Sequence, residues 1–335
     1  MLQMQITDPG GIDHLIKTEA PAPRAPGPGE VLVKVGASSL NYHDFLVASL
    51  PGRAAHGRVP LSDCGGTVEA IGEQVQGFKI GDAVVSCFFP DWQDGASMPS
   101  SFDRVPGDGI DGYARQYVVV PENWLTLAPK GWSHAQAATI TTAGLTAWRA
   151  LVVDGGFKAG DTVLVMGTGG VSIYALQLAK AMGARVIATT SSEAKMERLK
   201  ALGADEVVNY VRTPQWGDEV QRLTDGAGAR ITLEVGGAGT LSQSIQATAV
   251  GGHIALIGIL AGASSEVPIS TLMVRQQTLR GLIVGSRRHQ QEFVTALNAM
   301  SWLPVLDHEF ALADLAQAFR WQASGKHFGK IIVQI

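Results

Sequence analysis

Hydrophobic residues follow two different rhythms along this chain. In its first part, short runs rich in β-branched residues are bounded by Gly, Pro or Asp, at 31–35, 66–71, 83–89 and 113–120. Such runs predict β-strands joined by turns. An alanine-rich stretch at 133–153 then has helical spacing, and beyond it strand patterns alternate with helical ones. The chain therefore changes from a mainly β part to a part that alternates.

The alternating part predicts an α/β fold with a doubly wound parallel sheet, because each strand pattern is preceded or followed by a helical one. The six strands are expected at 162–166, 185–190, 206–209, 231–235, 253–257 and 278–284. Helices at 290–299 and 313–324 and a strand at 327–335 complete the chain. A length of 335 residues exceeds what one core usually holds, so we expect two packed units.

Composition and charge exclude several classes of protein. Hydrophobic residues make up 46% and charged residues 17%, which excludes a disordered chain. A formal net charge of −4 without a basic cluster gives no footprint for nucleic acid or an anionic membrane. Cys64 and Cys87 cannot form a disulfide framework, and the longest apolar run, 254–263, is too short to cross a bilayer. We expect a soluble, cytoplasmic protein with a small-molecule substrate and no nucleic-acid or membrane partner.

A glycine-rich turn follows the strand at 162–166. The turn and the start of the next helix are formed by Gly167, Thr168, Gly169, Gly170 and Val171. Glycine permits a tight turn and a close approach of backbone to a pyrophosphate, and amides at the start of the helix supply donors. Ser172 replaces the third glycine of the usual pattern, but the strand before and the helix after give the required context. We expect a dinucleotide site here.

The end of the second strand indicates which dinucleotide binds. A site for NAD would place Asp or Glu about 20 residues after the loop. Thr190, Ser191 and Ser192 stand there instead, with Lys195 in the following helix. Hydroxyl groups and a lysine can hold a 2′-phosphate, which an acidic side chain would repel. We therefore expect NADP(H), with NAD(H) as the alternative; a serine that only caps the helix is compatible with the same pattern.

Six motifs carry a resemblance to a known family. They are SSLNYHDF at 38–45, DCGGTVEAIG at 63–72, FKIGDAV at 78–84, GDTVLVMGTGGVS at 160–172, GADEVVNY at 203–210 and HFGKIIV at 327–333. With them the whole chain resembles the medium-chain dehydrogenase/reductase superfamily, in its zinc-free branch of quinone-oxidoreductase-like and zinc-type alcohol dehydrogenase-like proteins. The resemblance implies a GroES-like, β-rich catalytic domain at 1–143 and 286–335, with a Rossmann domain at 144–285 inserted into it.

The resemblance also bears on metal binding. Zinc members bind a catalytic metal through Cys, His and Cys, with an acidic residue as a fourth position. Here those positions resemble Asn41, Ser62 and Thr142, with Asp63 as the fourth. None of the first three is a good ligand for Zn²⁺. The loop that carries four cysteines for structural zinc in such relatives corresponds to 90–112, which contains no cysteine, so we expect no zinc.

Without a metal, hydrogen-bond donors must stabilise the oxygen that gains negative charge when a carbonyl compound accepts hydride. The resemblance indicates Tyr42 and His43, because this segment faces the nicotinamide in the family. Asn41 and Asp63 are further catalytic candidates. Purely structural alternatives stay open: Asn41 could hold the local turn, Tyr42 could be a core ring, Asp63 could cap a loop, and solvent could supply the proton.

Further ligand contacts follow from the same resemblance. Four more residues are expected to contact the cofactor: Thr146, Tyr210, Gly258 and Lys330. Tyr210 matches a tyrosine at the 2′-phosphate, and Lys330 is expected to reach the pyrophosphate. Phe88 and Trp92 are expected to line an apolar substrate pocket, or else to belong to the core.

The combined interpretation is a zinc-independent, NADPH-dependent oxidoreductase. It would transfer hydride to an apolar α,β-unsaturated carbonyl, a quinone or a related carbonyl. A metal-free, NAD(P)-dependent alcohol dehydrogenase or carbonyl reductase, with His43 as acid and base, is the alternative. A nucleotide-binding redox sensor or structural protein without turnover is a third. We expect a homodimer through the Rossmann domain, in which strands at 253–257 and 278–284 extend the sheet.

Overall fold

Two units make up the chain, and both ends of the sequence contribute to the first. The computed structural model describes residues 1–96 and 101–335. The terminal unit comprises Met1–Leu145 and Val284–Ile335, and the central unit comprises Thr146–Ile283. The boundaries expected from the sequence lie at 143/144 and 285/286.

The strands and α-helices of the described residues have the following bounds. The strands are β1 (Leu2–Ile6), β2 (Leu15–Glu19), β3 (Glu30–Ser39), β4 (Gly65–Ile71), β5 (Ala83–Ser86), β6 (Tyr117–Pro121), β7 (Leu125–Leu127), β8 (Thr162–Met166), β9 (Arg185–Thr190), β10 (Glu206–Asn209), β11 (Ala229–Glu234), β12 (Thr248–Leu256), β13 (Thr278–Gly281), β14 (Leu306–Ala311) and β15 (Lys330–Gln334). The α-helices are α1 (Tyr42–Ser49), α2 (His134–Ala138), α3 (Leu145–Trp148), α4 (Gly170–Ala181), α5 (Glu193–Ala201), α6 (Trp216–Leu223), α7 (Leu241–Ala247), α8 (Ile269–Val274), α9 (Arg287–Asn298) and α10 (Leu315–Ala323).

The terminal unit is built around a seven-stranded sheet. Its strand order is β14-β15-β3-β4-β5-β7, and β6 also pairs with β3. Alternate residues of β3 face the core, since Val31, Val33 and Val35 are buried together with Val68 and Val118. The pairing of β15 with β3 brings the C-terminal strand beside the segment that leads into α1.

The central unit contains a six-stranded, fully parallel sheet. Its order is β10-β9-β8-β11-β12-β13. From β8 the chain adds strands first on one side, β9 and β10, and then on the other, β11 to β13, as in a doubly wound fold. Strand β8 is buried from Val163 to Met166, as expected for a parallel strand covered on both faces. The predicted fold class is confirmed, and β8, β9 and β10 have the predicted bounds.

Three segments depart from the sequence expectations. Strand β5 ends at Ser86, because the Cys87 amide turns to Trp124 O and Phe88 and Phe89 leave the sheet. Strand β6 begins only at Tyr117, because the amides of Tyr113 and Ala114 pair with a loop instead. The helical stretch after Ser133 is interrupted by π-helical turns at 140–144 and 149–153.

Other elements had no clear sequence signal. Strand β2, LIKTE, has no buried residue, so hydrophobic alternation could not mark it. The irregular segment expected at 90–112 is mostly loop, and residues 97–100 lie outside the described part. No helix in the described ranges, 1–96 and 101–335, has the length and apolar character needed to cross a membrane.

Candidate active site

The first turn of α1 is anchored by a buried carboxylate. Asp44 is 2% exposed, and its two oxygens accept hydrogen bonds from the backbone amides of Asn41 at 3.0 Å and Ser62 at 2.9 Å. The first bond satisfies an amide that a helix start leaves unpaired. The second bond ties the helix to the chain just before β4. Asp44 therefore fixes the position of the residues beside it, Tyr42 and His43.

Lys330, the first residue of β15, places an ammonium group inside the terminal unit. The group donates hydrogen bonds to Leu40 O at 2.7 Å and Asn41 Oδ1 at 2.5 Å, and it lies 3.4 Å from Asp63 Oδ2. Lys330 is 3% exposed and Asp63 is fully buried. Charged groups are rarely buried unless they are paired, and here the pair also has hydrogen-bond partners.

Asp63 and its neighbours complete a polar cluster. Asp63 Oδ2 accepts from Ser39 Oγ at 2.5 Å, and Oδ1 accepts from Thr142 Oγ1 at 2.7 Å. Asn41 Nδ2 lies 3.5 Å from Ser62 Oγ. We call this set the Lys330 cluster; its members are Ser39, Asn41, Asp44, Ser62, Asp63, Thr142 and Lys330.

Burial shifts the protonation of this cluster. Burial and the nearby Asp63 carboxylate raise the pKa of Asp44 to about 6, against the opposing effects of His43, the Ser62 amide and Lys330. Burial lowers the pKa of Lys330, whereas Asp63 and Asp44 act to raise it. Asp44 therefore titrates much closer to neutral pH than an ordinary aspartate does.

Tyr42 and His43 lie at the start of α1 and keep part of their surface exposed. Tyr42 is 45% exposed and stacks on Phe45 with ring centroids 6.1 Å apart, so it is not a core ring. The His43 side chain is 21% exposed, and its Nε2 lies 3.2 Å from Asp108 Oδ2. Both are hydrogen-bonding side chains that a small molecule can reach; their catalytic roles stay predictions.

Phe88 and Trp92 belong to a cluster of rings around His43. The Phe88 ring meets His43 edge-on at 5.4 Å, and Phe89 joins Phe88 at 4.8 Å and Trp92 at 6.2 Å. Phe88 is 2% exposed and Trp92 is 5% exposed. Their surfaces therefore pack mainly on other side chains: Phe88 contacts His43 directly, and Trp92 joins the cluster through Phe89. Their role in a substrate pocket stays a prediction.

The glycine turn of the central unit leaves room for a ligand. Gly167 has φ +76°, which favours glycine, and a Cβ atom built on Gly167 or Gly169 would have no heavy atom within 4 Å. Gly170 begins α4, so the first amides of a twelve-residue helix point out of the turn. Ser172 Oγ donates to Met166 O at 2.6 Å, so the residue that replaces the third glycine links the helix to β8.

The end of β9 presents hydroxyl groups and no carboxylate. Thr190 is 3% exposed and its Oγ1 accepts from the Ser192 amide at 3.2 Å, whereas Ser191 is exposed. Ser192 stands at the N-cap of α5, but its side chain makes no capping hydrogen bond. The nearest acid, Glu193, is paired with Arg212 at 3.1 Å. The hydroxyls of Ser191 and Ser192 are thus not committed to capping.

The remaining predicted cofactor positions have mixed settings. Tyr210 is 41% exposed, and its amide donates to Thr190 O at 3.1 Å, which places it beside the end of β9. Lys195 lies in the first turn of α5. Thr146 is 3% exposed. Gly258 has a packing reason to be glycine, because a Cβ there would lie 2.5 Å from Val235 O.

Comparisons with known proteins extend over both units. Residues 27–130 match the alcohol dehydrogenase GroES-like domain, and residues 170–302 match the zinc-binding dehydrogenase family. A zinc-type alcohol dehydrogenase-like protein of Schizosaccharomyces pombe is 38% identical over 97% of this chain and 96% of its own. The solved structure of an NAD-dependent alcohol dehydrogenase has a TM-score of 0.89 at 35% identity, and covers 100% of both chains. A crotonyl-CoA carboxylase/reductase in complex with NADP has a TM-score of 0.87 at 26% identity, over 100% of this chain and 94% of that chain.

The chain belongs to the medium-chain dehydrogenase/reductase superfamily. It is an NAD(P)H-dependent oxidoreductase, as the two matched families and the dehydrogenase and reductase structures together indicate. The family predicted from the motifs is confirmed.

The residues at the metal positions do not suit zinc in this member of the superfamily. Asn41, Ser62 and Thr142 offer neutral oxygen and amide groups, and Zn²⁺ in proteins prefers thiolate, imidazole and carboxylate ligands. Asn41 Oδ1 and Asp63 Oδ2 face the Lys330 ammonium, which would repel a second cation. Across residues 1–96 and 101–335, no three His, Cys, Asp or Glu side chains form a group that could hold a metal ion.

One sequence expectation for this dehydrogenase/reductase needs correction, and a second stays untested. Lys330 was expected at the pyrophosphate, but its ammonium is buried against Leu40, Asn41 and Asp63, because Asp63 would otherwise be a buried charge without a cation. Asp63 and Asn41 were catalytic candidates, but Asp63 is fully buried and Asn41 is 7% exposed. Asn41 is the N-cap of α1, and Asp63 binds Ser39, Thr142 and Lys330; the catalytic roles of both stay predictions.

Sequence reasoning missed the partners of His43. Asp108 and Phe102 lie in the irregular segment after the undescribed residues, and Arg53 follows α1. No periodicity marks these residues, and only the fold brings them to His43. The role of Asp44 had a partial signal, because an acid three residues after Asn41 is a helix-start pattern.

Proposed function

We propose that this medium-chain reductase uses NADPH to reduce an apolar α,β-unsaturated carbonyl, a quinone or a related carbonyl, and that it does so without zinc. The observation that carries the proposal is the Lys330 ammonium, which lies against two of the four candidate metal positions, Asn41 Oδ1 at 2.5 Å and Asp63 Oδ2 at 3.4 Å. A positive charge is therefore already present there, supplied by the chain itself.

The preference for NADPH follows from the end of β9. Four residues suit a 2′-phosphate: the exposed Ser191, Ser192 with a hydroxyl that makes no capping bond, and the nearby Tyr210 and Lys195. The nearest carboxylate, Glu193, is neutralised by Arg212. The related carboxylase/reductase structure in complex with NADP supports this choice.

The glycine turn is suited to the pyrophosphate of such a cofactor. Gly167, Gly169 and the first amides of α4 would hold it, since a Cβ atom at either glycine would have no heavy atom within 4 Å and a helix start supplies amide donors. When bound, NADPH supplies a hydride. The chain's own contribution is to orient the substrate and to place Tyr42 and His43 as donors to the oxygen that gains negative charge.

An activated substrate is favoured over a simple alcohol. Without a metal, stabilisation of the developing charge rests on hydrogen-bond donors alone, and a Lewis acid would contribute several kcal/mol more. Conjugated carbonyls and quinones spread the charge and need less help. The similar NAD-dependent alcohol dehydrogenase structure supports a second candidate, a metal-free alcohol dehydrogenase or carbonyl reductase with His43 as acid and base.

The central unit supports a homodimer. Strand β13 is the edge of its sheet, and the neighbouring α8 exposes Ile269, Met273 and Val274 at 71%, 69% and 72%. Open strand edges and exposed apolar side chains favour association. We propose that two copies join through this edge, and a monomer in sedimentation at micromolar concentration would contradict it.

A cytoplasmic location is also part of the proposal. Cys64 and Cys87 are buried free thiols, and burial raises the pKa of Cys87 to about 12. Free cysteines of this kind suit a reducing compartment. Cell fractionation with an antibody to the protein would check this; recovery from an oxidising compartment would contradict it.

The decisive test is oxidation of NADPH and NADH with a panel of an enone, a quinone, an aldehyde and a secondary alcohol. We expect faster NADPH oxidation with the enone or quinone, and losses of activity in His43→Gln and Tyr42→Phe. Activity confined to the aldehyde and the alcohol would favour the second candidate. Tight NADPH binding without turnover on any substrate would overturn the enzymatic proposal and favour a nucleotide sensor.

A further inference from the structure

The ring of His43 is held from two sides. Phe102 stacks on it with centroids 5.0 Å apart and an angle of 17° between the planes, and Phe88 meets it edge-on at 5.4 Å and 77°. These contacts restrict both the tilt of the imidazole and its translation. They leave one torsion undetermined, because a 180° flip of the ring about the Cβ–Cγ bond keeps the stacking but exchanges each nitrogen with a ring carbon, Nδ1 with Cδ2 and Nε2 with Cε1.

A buried carboxylate faces one of the two nitrogens. His43 Nε2 is buried and lies 3.2 Å from Asp108 Oδ2, close to it but not aligned for a hydrogen bond. Asp108 is 8% exposed. In this orientation the charge of Asp108 favours a proton on Nε2, so the two ring positions that stacking allows differ in energy.

Asp108 is itself fixed by the chain around it. Arg53 Nη2 donates to the same oxygen, Asp108 Oδ2, at 2.7 Å. The loop is tight: the Gly107 amide bonds Ile110 O at 2.8 Å, and a Cβ on Gly109 would lie 2.1 Å from the carbonyl carbon of Asp103. The loop is therefore shaped to bring this carboxylate to His43.

We propose that Asp108 is a positioning residue for His43, and that Arg53 orients Asp108. The carboxylate holds the imidazole with its proton on Nε2 and leaves Nδ1 to exchange a proton with the substrate. In the reductive direction, the N–H bond at Nδ1 breaks as an O–H bond forms on the substrate oxygen. The ring is left neutral with its Nε2 proton, and solvent restores the proton on Nδ1. This inference rests on the proposed function, in which His43 is the donor.

A double-mutant cycle separates positioning from a structural role. The variants are Asp108→Asn, His43→Gln and the pair, and the measurement is kcat for enone reduction by NADPH at saturation. General acid catalysis contributes typically 10²–10⁴-fold, so we expect about a tenfold or larger loss from Asp108→Asn. In the His43→Gln background the same change should have almost no effect. Equal losses in both backgrounds would overturn the proposal.

The same loop provides a matched control. Asp111 also binds an arginine, with Arg58 Nη1 at 3.2 Å, and it accepts from the Val59 amide at 3.1 Å, but it does not face His43. Asp111→Asn removes the same charge from the same loop. We expect it to leave kcat within about twofold of the wild type, as is usual for exposed ion pairs. Arg53→Met should reduce kcat by less than Asp108→Asn does.

A measurement independent of turnover distinguishes this inference from the proposed function. In protein labelled with ¹⁵N-histidine, NMR shifts report which ring nitrogen carries the proton, and His43→Gln assigns the signals. We expect Nε2 to be protonated in the wild type and a mixture of both forms in Asp108→Asn. Identical His43 signals in these two proteins would overturn the positioning role even if the enzyme reduces enones. Absence of turnover with the expected signals would instead count against the proposed function alone.

Discussion

The Lys330 cluster and the glycine turn differ in how far their groups are buried and bound within the chain. In the terminal unit, Lys330, Asp63 and Asp44 are buried, and their polar atoms are bound to one another or to the backbone. In the central unit, the turn at Gly167 and Gly169 carries no charge and leaves open space. The polar groups of the Lys330 cluster bind one another and so hold chain segments together. The glycine turn has open space beside it, which a ligand can occupy. Substitutions in the first should damage folding, and substitutions in the second should damage binding.

The largest expected effect is that of Lys330→Met. The change keeps much of the volume but leaves Asp63 buried without its cation, which typically costs about 3–5 kcal/mol. Urea denaturation would measure the loss in the free energy of unfolding. Lys326→Met, at an exposed position four residues earlier, should change it by less than about 0.5 kcal/mol.

A second variant tests whether the loss comes from the charge. Asp63→Asn combined with Lys330→Met removes both charges, so it should recover a substantial part of the stability lost in Lys330→Met. If the double variant loses as much free energy of unfolding as the two single variants lose together, the attraction between the two charges does not contribute to stability.

A smaller effect should appear as a pH dependence of stability. The pKa of Asp44 is raised to about 6 in the folded chain, above the ordinary value of 3.8. The folded state therefore binds a proton that the unfolded state releases, and this contribution to stability falls as the pH rises from about 4 to about 6. At roughly 1.4 kcal/mol per pKa unit the total is on the order of 2–3 kcal/mol.

The matched comparison is Asp44→Asn, which lacks the titrating group. Its free energy of unfolding should be lower than that of the wild type at every pH, because an amide cannot accept from both the Asn41 and Ser62 amides. The gap between the two proteins should narrow from pH 4.5 to pH 6.5. A gap that stays constant over this range would refute the raised pKa.

In the glycine turn, Gly169→Ala should affect binding more than folding. Its backbone, φ −75° and ψ 176°, accepts any residue, and the new methyl group would meet nothing within 4 Å. Stability should fall by about 1 kcal/mol or less, because alanine is a poorer N-cap than glycine. NADPH affinity, measured by fluorescence titration, should fall at least about tenfold, since the methyl group occupies space that a pyrophosphate needs. Gly281→Ala, another open position, should bind normally.

The smallest effect concerns the choice between the two cofactors. Ser191→Asp places a carboxylate at the end of β9, where it repels a 2′-phosphate and accepts from ribose hydroxyls. We expect the ratio of kcat/KM for NADPH over NADH to fall about tenfold, which corresponds to about 1.4 kcal/mol. An unchanged ratio would remove Ser191 from the 2′-phosphate site.

The same contrast explains what the sequence could reveal. The glycine turn and strands β8 to β10 were predictable, because strand, turn and helix signals are local and depend on adjacent residues. Lys330 was misassigned because its partner Asp63 lies 267 residues away in sequence. The meeting of His43 with Asp108 depends on an irregular loop that has no periodicity. Contacts between buried charges follow from the completed fold, and sequence spacing does not encode them.

The most direct test of the account measures turnover and metal content together. The protein would be treated exhaustively with a strong zinc chelator, its zinc content determined by mass spectrometry, and its reduction of an enone by NADPH assayed before and after treatment. If the Lys330 ammonium takes the place of a metal ion beside Asn41 and Asp63, activity should persist with far less than one zinc per chain. Loss of activity on chelation, with recovery on addition of Zn²⁺, would contradict the central claim.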